Sequence, residues 1–240
     1  MTGERGKHMQ SVSCGAAGSH DVVTDWGLVA TTCEFLAFSF RYPDRGAVMS
    51  IASGEWADAL DELRRAWGFA ADAECGELTR ADSGEGPEAV LHALRQEATR
   101  LFVGPPTPAA SPYESVWAAA RTHAAPLLFV SPSAIAVERF CAACGLGRPQ
   151  GTNESLDHVS SELELLQFLA SVESGAVDAA SCGVALADLP GGSPATAFEL
   201  FFDEHPAMWM CDFACEVERI SSRVFYRAAA RLLRDFVSAR

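Results

Sequence analysis

Prolines in this chain stand at the heads of apolar runs and not inside them. Pro87, Pro132, Pro194 and Pro206 each precede a stretch of helical composition, and three follow a capping residue: Ser131-Pro132, Ser193-Pro194 and His205-Pro206. Proline suits the first helical position, where its missing N–H has no partner to lose, and it breaks a helix interior. The pattern predicts helices starting at those four points. After Pro87, the apolar stripe is Val90, Leu91, Leu94, Ala98 and Leu101. From Asp21, Trp26, Val29, Ala30, Cys33, Leu36, Ala37 and Phe40 keep the helical period, with Thr24 or Asp25 as cap and Pro43 as stop. Further helices are expected over Glu55 to Trp67, with Gly68 beyond its end, from near Asp157 to Glu173, and from near Ser221 to the C-terminus. No segment alternates with period two. The expected fold class is all-α, a single globular helical domain.

Residues 1–20 are polar and glycine-rich and are expected to be disordered. Residues 21–240 form the helical domain, with a hinge near 102–117: Gly104 to Pro112 holds four prolines in nine residues. Helical halves joined in this way can exchange between chains, so a monomer and a domain-swapped dimer both remain open. Ala70 to Gly86 reads as a loop. Gly175 to Gly192 reads as a loop with room for a short helix.

Acidic residues outnumber basic ones 32 to 18, a formal net charge of −14. Nucleic acid rewards clustered cations, and an anionic membrane face repels such a chain, so neither is an expected partner. The most apolar stretch, Trp26 to Phe40, is too short to span a bilayer and contains Glu34, so stable membrane insertion is not expected. Arg5 and Lys7 are not followed by an apolar core, so no secretory signal is read and the expected location is cytoplasmic. Eight cysteines then read as reduced thiols.

The phosphate-cradling, dinucleotide-binding, hydrolase-elbow and metalloprotease motifs are all absent from the sequence. Cys141 and Cys144 form a CxxC pair, and Cys211 and Cys215 a CxxxC pair; together four thiolates suit tetrahedral zinc. Against that reading, Cys141 and Cys144 fall within an apolar helical run, where small residues pack as core. Asp157 and His158 offer an acid–base pair, but neighbours on a helix point about 100° apart. The simpler reading makes Asp157 the N-cap and puts His158 in the first turn. Phe102, Tyr113 and Trp117 flank the proline-rich loop, either as core aromatics or as an apolar peptide groove.

The order of these motifs resembles the TorD/DmsD family of cytosolic chaperones for molybdenum-containing oxidoreductases, to which the NarJ-type chaperones are related. Leu101-Phe-Val-Gly-Pro-Pro106 followed by Pro112-Tyr-Glu-Ser-Val-Trp117 is similar to that family's central motif. Glu154-Ser-Leu-Asp-His158, leading into a Glu/Leu-rich helix, is similar to its second, with Ser155 where the family commonly has proline. Phe140 to Leu146 and the stretch from Phe201 to Tyr226 resemble further helix ends and the C-terminal helix pair.

The resemblance implies an all-helical chaperone with no catalysis and no cofactor. Its expected partner is the twin-arginine signal peptide, and the body, of a molybdopterin oxidoreductase catalytic subunit. Tyr113, Glu114, Ser115, Trp117, Glu154, Asp157 and His158 match the residues associated with leader binding. A leader of this kind carries two guanidinium groups and an apolar helix-prone segment, so it needs carboxylates and an apolar groove. Asp157, Glu154 and Glu114 are the candidate arginine partners, and Tyr113 and Trp117 the candidate groove walls. The alternatives are a regulator or enzyme with zinc on Cys141, Cys144, Cys211 and Cys215, or a helical protein–protein adaptor.

Overall fold

The computed structural model describes residues 24–76, 86–104, 107–122, 131–147 and 155–240. The expected disordered segment 1–20 lies outside them. Among the described residues there are ten α-helices and no strands, as the all-α reading expects. They are α1 Trp26–Phe40, α2 Arg45–Ser53, α3 Glu55–Ala66, α4 Pro87–Ala98, α5 Glu114–Thr122, α6 Pro132–Ala143, α7 Val159–Glu173, α8 Pro194–Glu204, α9 Pro206–Ile220 and α10 Val224–Ala239.

All four proline-headed helices begin on their proline. Asp25 caps α1 by accepting the Leu28 N–H at 3.0 Å. α1 is apolar on most of its circumference and is accordingly central, packing along α7 and touching α3 and α10. α9 and α10, joined by Ser221–Arg223, form a second tightly packed pair. Aromatic rings knit these layers: Phe40 lies 5.4 Å from Phe213, Phe102 5.4 Å from Tyr226, and Trp56 4.7 Å from Phe225.

α2 is not marked by the sequence pattern. Gly46, two β-branched residues and two serines give it poor intrinsic propensity. Burial of Ala47, Val48 and Ile51 outweighs that, with Asp44 capping its start and Gly54, at φ 86°, ending it. The Gly175 to Gly192 stretch holds three 3₁₀ turns, Ala179–Cys182, Leu186–Asp188 and Pro190–Gly192.

The proline-rich connector is laced to the core over its described part. α4 widens into a π-type turn, Thr99–Val103, closed by the Gly104 N–H donating to the Thr99 carbonyl at 2.7 Å. The Ala110 N–H then donates to the Leu101 carbonyl at 2.8 Å, and Ala110 and Ser111 are buried. α3 and the segment after it are clamped to α10. Arg231 grips both oxygens of Asp72 (2.7 and 2.8 Å), and Arg64 reaches Asp235 at 2.9 Å.

Candidate peptide groove and the junction behind it

A helix leaves its first four backbone N–H groups without internal partners. α5 and α7 solve this reciprocally. The residues before them, Pro112-Tyr113 and Asp157-His158, run antiparallel and form a short bridge between Tyr113 and His158. The Glu114 N–H donates to the Asp157 carbonyl at 2.9 Å, and the Val159 N–H donates to the Pro112 carbonyl at 2.8 Å. The Asp157 carboxylate then accepts the Ser115 N–H at 3.0 Å, capping α5 from across the chain. His158 is itself the N-cap of α7, its Nδ1 accepting the Ser160 N–H at 3.1 Å. This corrects the expected assignment, which had Asp157 cap its own helix with His158 in the first turn. The His158 backbone is extended, at φ −76° and ψ 140°, as a cap requires, so helical geometry starts one residue later.

The junction is buried and short of cations. Asp157 and Glu162 are fully buried and Glu114 nearly so. Glu114 Oε2 hydrogen-bonds His205 Nδ1 at 2.9 Å, and Glu162 Oε2 accepts the Trp209 indole N–H at 3.1 Å. Burial, reinforced by the neighbouring charges of Glu114 and Asp157, pushes Glu162 well above the usual carboxyl range. Burial also pushes His158 down to about 4, against the pull of Asp157. Its ring is neutral near pH 7, and an accepting Nδ1 leaves the ring proton on Nε2.

Beside the junction lies a groove of about 520 Å³. Apolar walls come from Leu146, Leu156, Leu165 and Phe168, with Tyr42 and Arg41 at the α1 side and His158 on the flank nearest the junction. α7 contributes Ser161, Glu164, Leu165 and Phe168, a stripe at i, i+3, i+4 and i+7, while Leu163, Leu166 and Leu169 on its other faces are buried in the core. Leu146 is aimed by the end of α6. The Leu146 N–H donates to the Cys141 carbonyl at 2.9 Å and the Gly145 N–H to the Ala142 carbonyl at 3.0 Å. Gly145 is required there: its φ is +74°, and a Cβ would sit 2.9 Å from a Val184 methyl.

Among the described residues expected to bind the leader, His158 alone lines this groove. Tyr113 sits behind it, its ring 5.2 Å from the imidazole. Trp117 is half-buried, donating its indole N–H to the Ser111 carbonyl at 2.8 Å and meeting Phe213 edge-on. Neither Tyr113 nor Trp117 is among the described residues that line this groove. Glu114 and Asp157 are buried, Glu114 bonded to His205 and Asp157 to the Ser115 N–H through one oxygen, and neither lines this groove. Glu154 lies outside the described residues. The carboxylate that does line the groove is Glu164, bonded by Arg41. The one local signal for it was an acidic residue set in an otherwise apolar and serine stripe.

The four-thiolate alternative is not assembled: among the described residues no three His, Cys, Asp or Glu side chains gather to hold a metal. Cys141 and Cys144 are buried, which pushes their thiols up to about 11 and about 12, away from reactive thiolate. Cys211 and Cys215 lie partly or fully exposed on α9.

No described helix is long and apolar enough to cross a membrane. A search of curated proteins finds no match. The model of one family, described as the nitrate reductase delta subunit, matches residues 52–214, from α2 to α9 and including both motifs of the junction. By that match over most of its length, the chain belongs to the nitrate reductase delta subunit family, a chaperone family of the TorD/DmsD redox-enzyme maturation group.

Proposed function

We propose that this protein binds the twin-arginine signal peptide of a molybdopterin oxidoreductase precursor in the cytoplasm, and holds it from export until the cofactor is inserted, performing no reaction itself. Its family comprises chaperones for molybdoenzyme maturation that act with the catalytic subunit. The observation that carries the finer reading is the groove: apolar walls with a carboxylate among them, built against the junction where the two leader-associated motifs meet. An apolar helix-prone peptide segment needs such walls, and a guanidinium needs such a carboxylate. The volume of about 520 Å³ admits a few side chains of a bound segment and no large part of a folded domain. The net charge of −14 hastens encounter with a cationic peptide.

In this reading His158 lines the groove, and Asp157, Glu114, Ser115, Tyr113 and Trp117 act from behind. They fix where α7 starts, and so where Leu165 and Phe168 face. Titration calorimetry of the full chain with a twin-arginine leader peptide tests the proposal. Binding is expected, weakening as salt is added and abolished by Phe168→Glu, which puts a charge on the apolar wall. No heat of binding to the wild-type chain at low salt overturns it.

A further inference from the structure

The Arg41–Glu164 pair differs from the two-oxygen arginine–carboxylate pairs of this molecule and shares its one-oxygen form with Arg234–Asp235 and the exposed Arg45–Glu88. Arg231 engages both oxygens of Asp72, and Arg100 engages both oxygens of Glu97 (2.9 and 2.8 Å). Both carboxylates there are buried. Arg41 instead puts two nitrogens, Nε at 2.8 Å and Nη2 at 2.5 Å, on the single oxygen Oε1 of Glu164. The two side chains are 57% and 43% exposed. A one-oxygen pair in open solvent is among the weakest ion pairs a protein makes. It is also placed differently: both partners line the groove, and Glu164 is the acidic side chain among its described lining residues.

Arg41 follows the last residue of α1 and extends from a helix end, not from a packed face. The groove therefore already holds a guanidinium against its carboxylate, next to an apolar wall of Leu165 and Phe168. That is the chemistry of an arginine followed by apolar residues, supplied by the chain itself.

We propose that Glu164 is the carboxylate that reads an arginine of the bound peptide, and that Arg41 is its resident competitor, displaced on binding. The inference rests on the leader-binding reading and names the selective contact within it. Arg41 keeps Glu164 occupied in the free chain, so peptides lacking arginine gain no ion pair in exchange for the one they disrupt. A peptide arginine replaces one guanidinium by another and adds the apolar contact beyond it.

The test compares wild type, Arg41→Gln and Glu164→Gln by calorimetry with a twin-arginine leader peptide and with the same peptide carrying glutamine at both arginines. Arg41→Gln is expected to bind the leader about 5-fold more tightly, the scale of an exposed ion pair no longer competed for. Glu164→Gln is expected to bind it roughly 10-fold more weakly, the scale of a lost charge-assisted contact. Glu164→Gln should also bind the two peptides with closely similar affinity. Both variants are surface changes and should retain the wild-type far-ultraviolet circular dichroism. If the wild-type chain binds the leader and neither substitution alters the affinity, the inference fails and the leader-binding reading stands. If Arg41→Gln weakens binding, Arg41 supports the groove and does not compete, which also overturns the inference. If the leader binds none of the three proteins, both fall together.

Discussion

Two regions of this molecule bury carboxylates, and they treat them in opposite ways. On the outer face of α10, burial alone would raise Asp72, but the hydrogen bonds and charge of Arg231 outweigh it and hold the carboxyl below its ordinary value. Arg227 and Arg231 likewise lower Glu74. At the α5–α7 junction no arginine among the described residues bonds Glu162, and burial wins: its carboxyl is raised well above the ordinary range. The same kind of group is held below its ordinary range in one place and above it in the other. The difference lies in which cations the fold brings within reach, since either site is dry enough to penalise a bare charge.

Removing a partner should separate the regions most strongly. Asp72→Ala strips Arg231 of its two-oxygen partner, with the Asp72 side chain fully buried and that of Arg231 only 17% exposed. A loss of about 3 kcal/mol in unfolding free energy is expected, read from the denaturant midpoint. A loss below about 1 kcal/mol would show that the clamp contributes little.

The junction should instead reveal itself through pH. His158 titrates at about 4 when folded against 6.5 when free, so the unfolded chain takes up its proton first. Stability is expected to fall by on the order of 2–3 kcal/mol as pH drops from 6.5 to 4. His158→Asn keeps a good capping group and removes the titration, so this acid limb should flatten. Glu162 has the opposite sign. Its folded value lies above 4.5, so the native state holds the proton more tightly, and its contribution is lost as pH rises through the folded value. Glu162→Gln should remove that decline with rising pH and barely change stability at or below pH 4.5. Thermal midpoints across pH check both variants.

The smallest effect expected is that of Asp157→Ala, which removes the cross-chain cap of α5. A cost of about 1–2 kcal/mol is expected in the denaturant midpoint. Asp157→Asn, which retains an acceptor for the Ser115 N–H, should recover most of it.

Helix starts were the most legible part of the fold, because proline and its cap act locally: Pro87, Pro132, Pro194 and Pro206 each open a helix. The end of α6 was marked only by the resemblance; read locally, Cys144 belongs within the helical run, whereas it is the C-cap after Ala143. α2 was not legible, since its residues favour other conformations and only packing against the core makes it helical. At the site, the resemblance drew attention to the residues of the junction, and the structure buries Glu114 and Asp157 there. Sequence marks a carboxylate's presence and not its depth. Arg41 and Glu164 escaped notice because 123 residues separate them, and no local spacing announces a pair made between two helices.

The reciprocal capping of α5 and α7 also bears on the order in which the protein comes into being. Nine residues are too few for a helix that persists unaided in water. The start of α5 is completed by groups of Asp157, 42 residues further on. During synthesis, α5 therefore waits for a stretch not yet made, and the groove behind which it stands takes shape only once the second half of the chain has arrived.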